Sequence, residues 1–163
     1  ECTHNSILVF KTKALLNDNV KQTFLEKFID KNRIEILKCT VLHEAHLNTY
    51  NYTDIAIDMI SYSGTTTSCE ALYMGVPVLT IRDTIYYYHP QNVTSSILMN
   101  SGLNEYIHNN VDGIVSSVMN FQKTPGYKES IRRKFINGKV CNKELFQSNF
   151  TELINELKSS TIP

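Results

Sequence analysis

Neither sign of charge is in excess in this chain. Sixteen Lys and Arg stand against 16 Asp and Glu, so no global field draws it to nucleic acid or to an anionic membrane, and any anionic ligand must be held locally. Cysteine is scarce and scattered. Cys2, Cys39, Cys69 and Cys141 contain no CxxC pair, which argues against a zinc site or a disulfide framework and for reduced thiols in the cytoplasm, with the nucleus as a second location. Long apolar runs are missing as well. Nothing approaches the roughly 18 residues that cross a bilayer, and the opening ECTHNSILVF lacks the parts of a signal peptide, so no membrane partner is expected. The sequons at Asn51, Asn92 and Asn149 are read as chance triplets in a chain rich in Asn, Ser and Thr. Two nucleotide signatures are absent, GxxxxGK[ST] and a GxGxxG after a strand, which sets aside P-loop NTPases and dinucleotide enzymes. A DxD pair is absent too. Asp54 and Asp58 are four apart on an expected strand, so no metal cofactor is expected. A receiver-type α/β protein would need an acidic cluster at the strand ends, which is not there.

What is present is an alternation of short β-rich runs with longer segments of helical period. This pattern predicts an α/β fold, a Rossmann-like three-layer arrangement on a parallel sheet. With 163 residues it is read as one domain over 1–163. Strands are expected at Ile7–Phe10, Arg33–Leu37, Asp54–Asp58 and Pro77–Ile81, with a weaker one near Glu105–Ile107. Asn19–Ile29 carries Val20, Phe24, Leu25 and Phe28 at helical spacing, one apolar stripe for the sheet. Thr66–Met74 reads as a helix stopped by Gly75 before Pro77. Helices at Val111–Phe121, Tyr127–Ile136 and Lys143–Leu157 are punctuated by Pro125-Gly126 and Asn137-Gly138. They are expected to cover one end of the sheet. The chain opens on Glu1 and enters an apolar strand almost at once, so it is read as a fragment of a longer protein.

The chemistry concentrates in Asp58–Thr80, DMISYSGTTTSCEALYMGVPVLT, where a strand gives way to a small-residue loop and a helix led by three threonines. Ligands of open α/β sheets lie beyond the carboxyl ends of the strands, and a helix starting there offers backbone N–H groups and the positive end of its dipole. Gly64 lets a phosphate approach the backbone. Thr65, Thr66 and Thr67 add hydroxyl donors, and Glu70, one turn on, suits the two hydroxyls of a ribose. Local chemistry leaves a second reading equally open, in which Ser and Thr merely cap the helix and Glu70 faces its dipole.

The string YSGTTTSCEALYMGVPVLT resembles the O-GlcNAc transferase and Spindly family of glycosyltransferases, nearer the Spindly branch in its triple threonine and its CEALYMGVP. NSILVFKTK (5–13), LHEAHLNTYNYTDIAID (42–58) and HPQNVTSSILMNSGL (89–103) are similar to family segments in the same order. The resemblance implies the C-terminal, nucleotide-sugar-binding domain of a GT-B glycosyltransferase. It assigns the diphosphate to Thr65, Thr66 and Thr67 and the ribose to Glu70. It sets His46 against the nucleotide base and His43 at a nearby base-reading position that is lysine in the O-GlcNAc branch. Thr65 departs from that branch, which has histidine there, and His43 departs with it, so GDP-fucose is favoured over UDP-GlcNAc as the donor.

Gln91 and Asn92 are candidate sugar or phosphate contacts on a loop at His89–Asn92, the alternative being that Asn92 caps the next helix. Lys11 and Lys13 end the first strand, and one of them, Lys13 foremost, is a candidate for the diphosphate; both as solvated side chains is the other reading. Tyr86, Tyr87 and Tyr88 are read as packing and rim. His43 and His46 form an HxxH pair that would suit a metal only with a third ligand. The resemblance further implies that the diphosphate-binding lysine, the partner domain and the catalytic base lie before Glu1. The expected partners are then the sugar donor, the Ser or Thr of a protein acceptor, and a second copy at an exposed sheet edge. The competing reading is a non-catalytic nucleotide-binding or oligomerisation module.

Overall fold

The computed structural model describes residues 6–60, 62–82, 85 and 88–160. They form two compact units, Glu1–Tyr52 and Thr53–Pro163, each built on parallel strands as the alternating pattern predicts.

In the first unit β1 (Leu8–Lys11) pairs in parallel with β2 (Ile34–Leu37), with Leu8 opposite Ile34 and Lys11 opposite Leu37. Between them lies α1 (Asp18–Leu25), which begins where Asn17 Oδ1 accepts the N–H groups of Asn19 and Val20. That cap satisfies two of the donors a helix start leaves over. The helix ends four residues before the predicted Ile29, because Lys27 and Phe28 turn back onto the carbonyls of Phe24 and Leu25. The turn brings Phe28 onto Phe24, with centroids 5.0 Å apart, and both rings onto Phe10 of β1 at 4.8 and 6.0 Å. Edge-on aromatic packing of this kind adds about 0.5–1.5 kcal/mol per pair beyond area burial. Val20, predicted on the same stripe, stays half exposed. After β2 comes the short helix α2 (His43–Asn48).

In the second unit β4 (Val78–Ile81) is central, flanked in parallel by β3 (Ala56–Ile57) and β5 (Ile107–His108). The connections are α3 (Thr66–Tyr73) and α4 (His89–Asn100), followed by α5 (Val111–Met119), α6 (Tyr127–Ile136) and α7 (Lys143–Ser160). Leu72, Val76, Val78, Leu79, Leu98 and Leu103 are removed from water. Each contributes about 1.5–3 kcal/mol by burial. At the end of α3 the Val76 N–H reaches the Ala71 carbonyl (2.8 Å) and the Gly75 N–H the Leu72 carbonyl (3.0 Å). This six-to-one, five-to-two pairing needs a left-handed residue, which Gly75 supplies at φ 78°. A side chain there would also run into the Lys128 backbone of α6, which packs on α3. The α5 helix lies on β4 and β5, as expected of the C-terminal helices, whereas α7 buries none of its residues.

Candidate functional site

The carboxyl ends of β3 and β4 are where an open parallel sheet forms its ligand sites. Beyond β3 the chain enters Asp58, whose buried carboxylate is taken up by three donors. Ser63 Oγ–H (2.6 Å) and Thr80 Oγ1–H (2.9 Å) meet Oδ2, and the Gly64 N–H meets Oδ1 at 2.7 Å. A buried carboxylate is tolerable only when its lone pairs are so occupied.

Ser63 carries the network onward. Its Oγ accepts the Thr94 N–H (2.9 Å) and its own N–H donates to the Pro90 carbonyl at 2.7 Å, so one loop residue bridges the 90-to-94 step of α4. Thr94 Oγ1 gives its proton to the Gly64 carbonyl (2.8 Å) and therefore accepts from Ser68 Oγ of α3 at 2.9 Å. Two helices, the strand β4 and the residue that follows β3 thus fix the Gly64 loop. Among the described residues no buried side-chain nitrogen or oxygen lacks a partner. A Cβ on Gly64 would fall 2.7 Å from both Ser68 Oγ and Thr67 Oγ1, so a larger residue there must turn these hydroxyls aside, Ser68's out of its bond with Thr94.

The clasp sets the start of α3. Thr65 precedes the helix but makes no side-chain cap, contrary to the purely structural reading of the threonines. Thr65, Thr66 and Thr67 are exposed, and Glu70, one turn on, is half-buried. A helix start without a side-chain cap is one that can receive an anion on its N–H groups. Gln91 and Asn92 lie in the first turns of α4, next to the Pro90 carbonyl that Ser63 holds. They are helical rather than part of a loop, and Asn92 does not cap the helix. Pro90 sits at the helix start, its preset φ opening α4 three residues earlier than Asn92, and Asn92 Nδ2 reaches back to the Tyr88 carbonyl at 3.3 Å. Tyr88 is exposed; Tyr86 and Tyr87 lie outside the described residues. The Cys69 thiol on α3 is pushed up by burial first and by the nearby Cys141 and Glu70 next, which keeps it protonated and poor as a nucleophile.

In the first unit His46 and His43 lie on α2 with ring centroids 6.4 Å apart. Among the described residues no three His, Cys, Asp or Glu side chains are grouped to hold a metal ion. Lys13 is exposed in a 3-10 turn after β1. Lys11 turns to His46 instead, with its Nζ 3.0 Å from Nδ1 and 3.2 and 3.1 Å from the hydroxyls of Thr40 and Thr49. Sequence reasoning missed Ser63, Ser68, Thr80 and Thr94 altogether and weighed Asp58 only as half of an absent metal pair. The signal was faint: a Thr inside the apolar strand VLTI and a Thr-Ser pair where α4 meets the core.

The sequence model of glycosyl transferase family 41 matches residues 3–153 of the chain. The chain belongs to glycosyl transferase family 41. It is 37% identical over 115 residues to the probable UDP-N-acetylglucosamine–peptide N-acetylglucosaminyltransferase SPINDLY of Eustoma exaltatum subsp. russellianum, a match covering 68% of this chain and 12% of that protein. To the protein of the same name from Hordeum vulgare it is 33% identical over 150 residues, covering 87% of this chain and 16% of the other. In three dimensions this family 41 chain is similar to a K341M mutant of the Thermobaculum terrenum O-GlcNAc transferase, with a TM-score of 0.68 and 27% identity over 79% of this chain and 25% of that one. The family 41 relationship therefore holds in sequence and in fold, over a small share of each relative's length. Among the described residues no helix is long and apolar enough to cross a membrane.

Proposed function

We propose that this chain binds the nucleotide-sugar donor of a family 41 glycosyltransferase that transfers the sugar to Ser or Thr of a protein. The observation that carries this reading is the start of α3: a helix with no side-chain cap, led by exposed threonines and held beyond the sheet by the Asp58 clasp. Transfer breaks the bond between the sugar's anomeric carbon and the diphosphate, and negative charge grows on the departing oxygens. Donors prearranged toward those oxygens lower the barrier. The backbone N–H groups and the hydroxyls of Thr65, Thr66 and Thr67 supply them, with Gly64 allowing close approach, so the reading calls on no metal. Glu70 accepts from the ribose hydroxyls. Gln91 and Asn92 are the candidates for the sugar or the phosphates, and the family resemblance assigns His46 and His43 to the base and Lys13 to the diphosphate.

The plant relatives carry UDP-N-acetylglucosamine in their names, which favours the uridine donor, while Thr65 and His43 favour GDP-fucose. The acceptor is taken from the same names, which describe peptide transferases. Free thiols at Cys39, Cys69 and Cys141 support a reducing cytoplasmic or nuclear setting.

Titration of the chain with UDP, GDP, UDP-GlcNAc and GDP-fucose, followed by chemical shift, tests the proposal against a Thr66→Val variant. Saturable binding that prefers one base and is weakened in the variant supports it and selects the donor. Absence of binding at millimolar nucleotide sinks it in favour of a module that keeps the fold without the ligand.

A further inference from the structure

We propose that Lys11 is a positioning residue that fixes His46 in the tautomer with its proton on Nε2. The proposal deepens the nucleotide-binding reading and rests on it for the identity of the ligand, though not for the tautomer. A lysine ammonium is a donor with three protons and no lone pair. Lys11 Nζ has three acceptors around it at hydrogen-bonding distance: Thr40 Oγ1 (3.2 Å), Thr49 Oγ1 (3.1 Å) and His46 Nδ1 (3.0 Å). The Thr49 hydroxyl directs its own proton to the Ala45 carbonyl one turn back in α2 (3.5 Å), which leaves its oxygen to accept. Each ammonium proton is therefore matched with one lone pair. His46 Nδ1 must be bare, because an N–H there would point its proton at those of the ammonium. The ring proton then resides on Nε2.

Geometry holds the ring in place on a second side. Tyr50 packs edge-on against it, with centroids 5.6 Å apart, so the imidazole is gripped by the end of β1 and by the 3-10 turn that follows its own helix. A histidine locked in this way meets a ligand as an N–H donor, which suits the exocyclic oxygen of a carbonyl-bearing base such as uracil or guanine. It also means that Lys11 is fully engaged with its own unit and that the diphosphate falls to other donors. Lys11, the last residue of β1, and Lys13, in the turn after it, thus have separate tasks.

The test uses the chain labelled with 15N in its histidine rings, together with Lys11→Gln and Lys11→Arg. Glutamine keeps much of the length but can accept as well as donate, so it releases the constraint; arginine only donates, so it preserves it. Long-range proton–nitrogen correlation is expected to show an unprotonated Nδ1 and a protonated Nε2 for His46 in the wild type and in Lys11→Arg, and a mixture of tautomers in Lys11→Gln. The preferred nucleotide is expected to bind more weakly to Lys11→Gln, by at most about fivefold, the complete loss of one ordinary hydrogen bond, and near-normally to Lys11→Arg. A wild-type His46 protonated on Nδ1, or an unchanged tautomer in Lys11→Gln, overturns the proposal whether or not nucleotide binds. If Lys11→Gln does not fold, the wild type and Lys11→Arg still decide the tautomer. A chain that shows the expected tautomers but binds no nucleotide supports the part played by Lys11 and counts only against the nucleotide-binding reading.

Discussion

Replacing Asp58 by Asn changes one oxygen to an amide and leaves the side chain's shape intact. In the wild type three donors converge on the carboxylate at 2.6–2.9 Å. The amide oxygen can keep the Gly64 N–H, but the NH2 group then faces Ser63 Oγ and Thr80 Oγ1. Both hydroxyls must turn round and accept, and Ser63 Oγ already accepts the Thr94 N–H. Two hydrogen bonds to a charged group, about 1.5–3 kcal/mol each, are thereby exchanged for neutral ones of about 0.5–1.5 kcal/mol. The difference sums to about 2 kcal/mol, which for a chain of this size lowers Tm by roughly 4–8 °C. Because the clasp sets the loop that precedes α3, nucleotide affinity is expected to fall as well. The control is the same substitution four residues earlier. Asp54 is a half-exposed carboxylate paired with Lys123 at 2.7 Å and reached by the Tyr127 hydroxyl at 3.4 Å, and Asp54→Asn is expected to cost about 1 kcal/mol or less. Thermal melts of the two variants, followed by nucleotide titration, decide the matter. Equal melting temperatures would refute the claim that Asp58 fastens the loop.

Glu70→Ala is expected to weaken nucleotide binding in titration while lowering Tm by no more than about 2–4 °C, the equivalent of about 1 kcal/mol; unchanged binding removes Glu70 from the site. Gly75→Ala forces a side chain into the left-handed region at a cost of about 1–3 kcal/mol and adds the collision with the Lys128 backbone, so a denaturation midpoint close to the wild type's contradicts the packing of α6 on α3. His108 is held below the usual histidine value of 6.5 by burial. The folded state therefore binds its proton less readily than the unfolded chain, and stability is lost as pH falls through about 6.5 and below. Urea titrations at pH 7.5 and 5.5 are expected to show a smaller pH-dependent loss in His108→Gln than in the wild type.

Much of the fold was legible because punctuation and period agreed. Tyr127–Ile136 is the helix expected between Gly126 and Asn137, and α3 stops where Gly75 announces its end. Where the two conflicted, the reading slipped: Pro90 looked like part of a loop, yet a proline belongs in a helix's first turn, and α4 begins there. The threonine-led helix was visible because its residues are neighbours in sequence. The clasp beneath it was not, since Asp58 meets Thr80 across 22 positions and Ser63 meets Thr94 across 31, and hydroxyls carry no periodic signature. The same limit separates Lys11 from Lys13. Nothing local says which of two lysines will find a histidine 35 residues away.

The bridge that Ser63 makes to α4 has a consequence for how this surface opens. Loops beside a ligand site ordinarily exchange their amide protons with solvent long before the helices around them. Here the Ser63 N–H is spent on a helix carbonyl, the Gly64 N–H on a buried carboxylate and the Thr94 N–H on the loop itself, so these three amides belong to one cooperative opening unit. Deuterium is expected to enter them together and slowly, at a rate set by the unravelling of the first turns of α4.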